Sequence, residues 1–112
     1  MPVPERGDLV WMDFSPHTGH EQAGRRPALV LSSREYHRAT NFVVVCPITS
    51  AVKGYPFEAV LPSGLPVSGA ILSDQVKSMD RHGRNLEKIG KVPHGVLEEV
   101  QAKIAMLIGI TG

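Results

Sequence analysis

Hydrophobic and polar residues alternate from Gly7 to Phe14, with Val10, Met12 and Phe14 on one face and Leu9, Trp11 and Asp13 on the other. That period of two predicts a first strand. Pro16 and Gly19 end it and open a polar loop. The run Pro27 to Leu31 predicts a second strand, and the polar stretch Ser33 to Asn41 has room for one helical turn. The β-branched run Phe42 to Ile48 predicts a third strand. Thr49 to Tyr55 reads as a loop and Phe57 to Leu61 as a fourth strand, closed by Pro62-Ser63-Gly64. Two short strands follow, Gly69 to Leu72 and Gln75 to Met79, interrupted at Ser73-Asp74. A turn at Asp80 to Arg84 leads into a last strand, Leu86 to Val92.

The period then changes. Val96, Leu97, Val100, Ile104, Leu107 and Ile108 fall at helical spacing, with Glu98, Glu99, Gln101 and Lys103 opposite them. Pro93 is placed to open this helix and Gly109 to stop it. Short strands with Gly and Pro turns, followed by one amphipathic helix, predict a mostly β fold, a small barrel with a C-terminal α-helix. The apolar stripe of the helix is core or dimer interface.

Composition narrows the function classes. The chain has 112 residues, which suits one domain over 1–112, and 42% hydrophobic residues are enough for one modest core. A domain of this size buries only about two-thirds of its unfolded surface, which favours an oligomer that hides more. Net charge is +1, so a polyanion would have to meet a local patch rather than a general basic coat. The single cysteine, Cys46, lies inside an apolar run and reads as an ordinary buried thiol, with no intrachain disulfide to form. Met1 to Arg6 has no apolar signal core, and no segment approaches the roughly 20 apolar residues of a spanning helix. The expectation is a soluble cytoplasmic protein with no membrane association.

The chemistry concentrates in His17-Thr18-Gly19-His20-Glu21-Gln22-Ala23-Gly24-Arg25-Arg26-Pro27. Two imidazoles and a carboxylate, which move protons, sit beside two guanidiniums, which hold phosphate. A loop so equipped, feeding a strand, is a common way to build a site. The spacing His17-Thr18-Gly19-His20-Glu21 is superficially like a zinc-protease motif, but such motifs need a helix, and Pro16 and Gly19 oppose one. No metal site and no cofactor are expected.

Several blocks carry a resemblance: Gly7-Asp8-Leu9-Val10-Trp11-Met12-Asp13-Phe14, Glu21-Gln22-Ala23-Gly24-Arg25-Arg26-Pro27-Ala28-Leu29-Val30-Leu31-Ser32, Cys46-Pro47-Ile48-Thr49-Ser50, Lys53-Gly54-Tyr55-Pro56-Phe57-Glu58 and Ser73-Asp74-Gln75-Val76-Lys77-Ser78. In this order and spacing the chain resembles the MazF/PemK toxins. The resemblance implies an SH3-like β-barrel with a terminal helix, commonly a homodimer. It implies a ribosome-independent endoribonuclease, an mRNA interferase, that cuts single-stranded RNA at short sequences without a metal. The products would carry 2′,3′-cyclic phosphate and 5′-hydroxyl ends. It also implies a cognate MazE-like antitoxin whose acidic segment occupies the RNA groove. The family's catalytic arginine and threonine fall on Arg26 and Thr49, and Glu21 is implicated beside them.

The residue chemistry agrees with that assignment. RNA supplies its own nucleophile, the 2′-hydroxyl; an enzyme must take its proton, protonate the departing 5′-oxygen and stabilise the phosphate charge. The Arg26 fork suits the phosphate, and Thr49 can donate a hydrogen bond to a nonbridging oxygen. Glu21 is a candidate base, with His17 and His20 as rivals. Arg25 and Lys77 are candidate phosphate contacts, Lys53 lies in a family block beside the groove, and Gln75 and Asp13 are candidate readers of base edges. Two rival readings stand: a CcdB-like toxin of the same general fold that binds DNA gyrase and cuts nothing, and a noncatalytic RNA-binding barrel.

Overall fold

The computed structural model describes residues 3–15 and 19–110. Among these the order is β1 (Asp8–Asp13), β2 (Arg25–Val30), α1 (Arg34–Ala39), β3 (Phe42–Thr49), β4 (Glu58–Val60), β5 (Ala70–Leu72), a 3-10 turn (Ser73–Gln75), β6 (Lys77–Asp80), β7 (Glu87–Lys91) and α2 (His94–Ile108). The elements follow the sequence reading closely. β2 begins at Arg25 rather than Pro27, because Asp13 and Met12 of β1 pair with Arg25 and Arg26. Thr49 is the last residue of β3 rather than the first of the next loop, because it pairs with Ala70. The polar stretch before β3 forms a six-residue helix, its first turn capped by Ser33 Oγ accepting from Tyr36 N at 3.2 Å.

The pairing is antiparallel, in the order β4-β5-β3-β2-β1-β7, with β6 also on β3. β3 is the hub. Its first half pairs with β6, from Phe42↔Asp80 to Val45↔Lys77, and its end pairs with β5 at Ile48↔Ile71 and Thr49↔Ala70. Pro47 sits at the changeover, where a residue without an N–H is tolerated. By exchanging neighbours along one strand the sheet folds back on itself in a barrel-like form, although the described ladders do not close.

Alternation then divides the side chains between two cores. Leu9, Leu29, Cys46, Ile48 and Ile71 pack with Val96, Leu97 and Val100 of α2. Val10, Met12, Phe14, Ala28, Val30, Val43, Val45 and Met79 fill the other face. Both faces of β1 are thus covered at Leu9 and Val10, while Trp11 stays half-buried. Each buried Val, Leu, Ile, Phe or Met side chain among them contributes roughly 1.5–3 kcal/mol of transfer free energy. Pro93 precedes α2, and Gly109 ends it: Gly109 N donates to Met106 O at 3.3 Å and Ile110 N to Ala105 O at 2.8 Å.

His37 ties the N-terminal segment to this frame. Its Nδ1 lies 2.8 Å from Pro4 O and its Nε2 2.6 Å from Ser32 Oγ, which also accepts from Val44 N at 2.8 Å. Burial lowers its pKa from 6.5, and the nearby Arg81 and Arg6 charges act in the same direction against the Pro4 carbonyl and Asp8.

Candidate functional site

The β2–β3 ladder runs from Val30↔Val45 to Ala28↔Pro47 and ends there. Two residues further along each strand come Arg26 and Thr49. They therefore stand at the end of that ladder, one on each strand. The sequence places these residues 23 positions apart; the register brings both to the end of the β2–β3 ladder, where Thr49 lines one cavity and Arg26 another.

Around Thr49 lies a cleft of about 480 Å³. Its walls are His20 and Gln22 of the β1–β2 loop, Lys53 and Tyr55 of the β3–β4 loop, and Asp74 and Gln75 of the 3-10 turn. Thr49 is nearly buried, and its Oγ1 accepts from Ala51 N at 3.1 Å. That bond fixes the position of the oxygen and leaves its hydrogen able to point at a ligand. Gly69 is the device that brings β5 alongside. A Cβ there would stand 2.0 Å from the Thr49 carbonyl oxygen, so no larger residue lets the two strands approach.

Arg26 is half-buried, and its Nε donates to Ala23 O at 2.7 Å. That bond holds the side chain by one donor and leaves the two terminal NH2 groups for an oxyanion. Arg26 lines a second cavity of about 420 Å³ with Trp11, Pro27, Ser50 and Pro66. Ser50 faces this cavity while Thr49 and Ala51 face the first, so the end of β3 is a wall common to both.

The other sequence candidates divide into two groups. Glu21 Oε2 lies 2.7 Å from Lys77 Nζ, whose ammonium also stands 5.9 Å from the centre of the Phe14 ring. Gln22 N donates to Gln75 Oε1 at 3.1 Å. These two bridges pin the β1–β2 loop to the 3-10 turn and β6, and they set His20 in the cleft. Asp13 and Arg25 are tied to each other, although Arg25 also lines the cavity of Arg26. Arg25 Nη1 lies 3.4 Å from Asp13 Oδ1 and donates to Asn85 O at 2.8 Å, and its Nη2 is 3.4 Å from Glu87 Oε1. Asn85 Nδ2 donates to the other Asp13 oxygen at 2.8 Å. The pair thus ties β1 and β2 to the strand that follows Asn85, and each meets the other's charge. His17 lies outside the described residues.

The sequence reading overlooked Glu58. Its carboxylate is 7% exposed and accepts from three successive backbone N–H groups, Lys53, Gly54 and Tyr55, at 3.1, 2.7 and 3.2 Å. Burial alone would push its pKa up; the three donors and the Lys53 charge outweigh that and hold it below the ordinary carboxylate value. A Lys-Gly dipeptide a few residues before a glutamate was the available signal. Cys46 takes no part: burial pushes its thiol up to about 12. Among the described residues no three His, Cys, Asp or Glu side chains are grouped to hold a metal ion, and no helix is long and apolar enough to cross a membrane.

Residues 5–108 match the family described as PemK-like, MazF-like toxin of type II toxin-antitoxin system. The chain is 49% identical over 107 residues to the endoribonuclease toxin MazF of Escherichia coli K12, covering 96% of each. It is 36% identical over 112 residues to the endoribonuclease toxin ChpB of the same organism, covering 93% of each. The fold superposes on the crystal structure of MazF from Deinococcus radiodurans with a TM-score of 0.92 and 50% identity, over 96% of this chain and 97% of that one. A MazE-MazF crystal structure from that organism matches with a TM-score of 0.86 and 44% identity, over 97% and 98%.

Proposed function

The chain belongs to the PemK-like, MazF-like toxins of type II toxin–antitoxin systems, and on that premise we propose that it is a metal-independent endoribonuclease acting on single-stranded RNA in the cytoplasm. The observation that carries the reading is the parting of β2 and β3 after Ala28↔Pro47, with Arg26 and Thr49 flanking the gap. A scissile phosphate seated there meets the terminal NH2 groups of Arg26 and the Thr49 hydroxyl on its nonbridging oxygens. The 2′-oxygen bonds to phosphorus as the P–O5′ bond breaks, giving a 2′,3′-cyclic phosphate and a 5′-hydroxyl. The β1–β2 loop supplies the acceptor for the 2′ proton, Glu21 or His20. The departing 5′-oxygen takes a proton from the protein or solvent.

Lys53 brings an ammonium to the cleft wall, Lys77 is bridged to Glu21 of the β1–β2 loop, and Gln75, whose Oε1 accepts from Gln22 N, keeps its amide NH2 for a base. The natural partner is a MazE-like antitoxin, as in the MazE-MazF structures. The working unit is a homodimer: Met106, Leu107, Ile108 and Ile110 are exposed at the end of α2, beside an apolar groove of about 250 Å³ that includes Leu31, Val44 and Val76.

The test is incubation of purified protein with single-stranded RNA in EDTA. Discrete fragments are expected, lost in Arg26→Ala. A single 2′-deoxy substitution immediately 5′ of the scissile phosphate should stop cutting there; continued cutting would refute 2′-hydroxyl attack. A mobility shift of RNA without fragments would favour the noncatalytic binding barrel, and inhibition of gyrase without fragments the CcdB-like reading.

A further inference from the structure

We propose that Glu58 is a positioning residue for RNA recognition: its carboxylate is the socket on which the Lys53–Tyr55 segment is folded against the cleft. This rests on the ribonuclease reading above and adds to it a residue on the cleft wall that acts through the loop it holds.

A carboxylate close to a phosphodiester groove repels the substrate, and so needs a reason to be there. Glu58 opens β4, paired with Leu72 of β5, so its backbone belongs to the sheet. Its side chain turns back toward the preceding loop. Oε1 accepts from Lys53, Gly54 and Tyr55, and Oε2 lies 3.1 Å from Lys53 N as well. Glu58 N in turn donates to Tyr55 O at 3.0 Å. Three consecutive N–H groups converging on one anion form a concave nest, here filled by the protein's own carboxylate. Gly54 has φ +84, with open space where a Cβ would stand, so the backbone conformation rather than crowding requires glycine.

The negative charge is thereby absorbed inside the loop, while its side chains face outward. Lys53 and Tyr55 both line the cleft that holds Thr49, and Tyr55 is 58% exposed. An ammonium and an aromatic ring, held at fixed places beside a catalytic hydroxyl, suit one phosphate and one stacked base. Without the socket, residues 51–55 are an exposed loop with no regular structure. Ordering them would then be charged to each binding event. Arg26 and Thr49 are held by strands and by their own bonds to Ala23 and Ala51, so the chemical step does not depend on the socket.

The experiment compares steady-state cleavage of a short fluorescent RNA by the wild type and Glu58→Gln. The amide removes the anion and, with its oxygen in the place of Oε1, sets an NH2 group where Oε2 stood, 3.1 Å from Lys53 N, donor against donor. The expected result is a KM raised about tenfold with kcat within about twofold. Gly54→Ala, which strains the same nest without touching β4, is expected to move KM in the same direction. In a Lys53→Ala/Tyr55→Ala background, where the loop has nothing left to present, Glu58→Gln should change KM by less than about twofold. A merely structural glutamate would lower stability equally in both backgrounds and leave KM alone. Unchanged KM in a folded Glu58→Gln enzyme, or loss of kcat at constant KM, overturns the proposal while leaving the ribonuclease reading intact. Failure of the wild type itself to cleave any RNA overturns both.

Discussion

Replacing Thr49 by valine removes one hydroxyl and keeps the shape of the side chain. The structure allows the two consequences to be sized separately. For stability, the lost group is an acceptor for Ala51 N at 3.1 Å. Ala51 is exposed, so water takes over that N–H and the cost is about 1 kcal/mol or less. For a chain of this length that is a fall in Tm of about 4 °C. The β-branched carbon remains to fill a site that is only 7% exposed. For catalysis, the lost group is a donor held in place before substrate arrives. Removing one such donor typically lowers kcat by about 10²–10³, or ~2.7–4 kcal/mol of barrier. Thr49→Val should therefore be a folded protein with hundreds-fold slower cleavage, and Thr49→Ser, which retains the hydroxyl, should keep most of the activity. The assay is single-turnover cleavage of an end-labelled RNA at saturating enzyme, beside a thermal melt. A folded Thr49→Val enzyme cutting within tenfold of the wild-type rate would refute the role given to the hydroxyl.

Other consequences are open to measurement. Gly69→Ala drives a Cβ to 2.0 Å from the Thr49 carbonyl oxygen at a φ of +119; denaturant unfolding should show a loss of about 3 kcal/mol or more, with cleavage falling alongside it. His37 is held with a pKa below 6.5 by burial and by Arg81 and Arg6. The unfolded chain thus binds a proton before the folded one does, and the stabilisation present above pH 6.5 is lost as pH falls through the lowered value. Melts from pH 7.5 down to 5 should show a decline in Tm that His37→Gln largely removes, and a matching slope in both proteins would refute this. Ile108→Glu buries a charge in the proposed contact between copies; sedimentation should find a lighter species, with α2 intact by circular dichroism.

The amphipathic helix was legible because six apolar residues from Val96 to Ile108 fall at one period and Gly109 closes it. The strands were legible because alternation and β-branching mark them whatever their neighbours. Boundaries moved where a partner extended an element, as Ala70 did for Thr49 and β1 did for Arg25, and where a turn displaced one, as the 3-10 turn Ser73–Gln75 took Gln75 from the strand expected over Gln75 to Met79 and left β6 as Lys77–Asp80. The family could also be read from blocks of sequence.

Which charges cooperate was not legible. Arg25 and Arg26 are adjacent in the chain, yet one is tied to Asp13 and Glu87 and the other to the Ala23 carbonyl. Lys77 meets Glu21 across 56 residues. Glu58 looks like an ordinary strand residue until the fold turns three N–H groups onto it. Local pattern is set by steric preference and burial, which act within a few residues, so the chain declares its elements, its core and its family unaided. Pairings between distant groups depend on register and on where a strand changes neighbours, and those are settled only when the two cores pack on either side of the sheet.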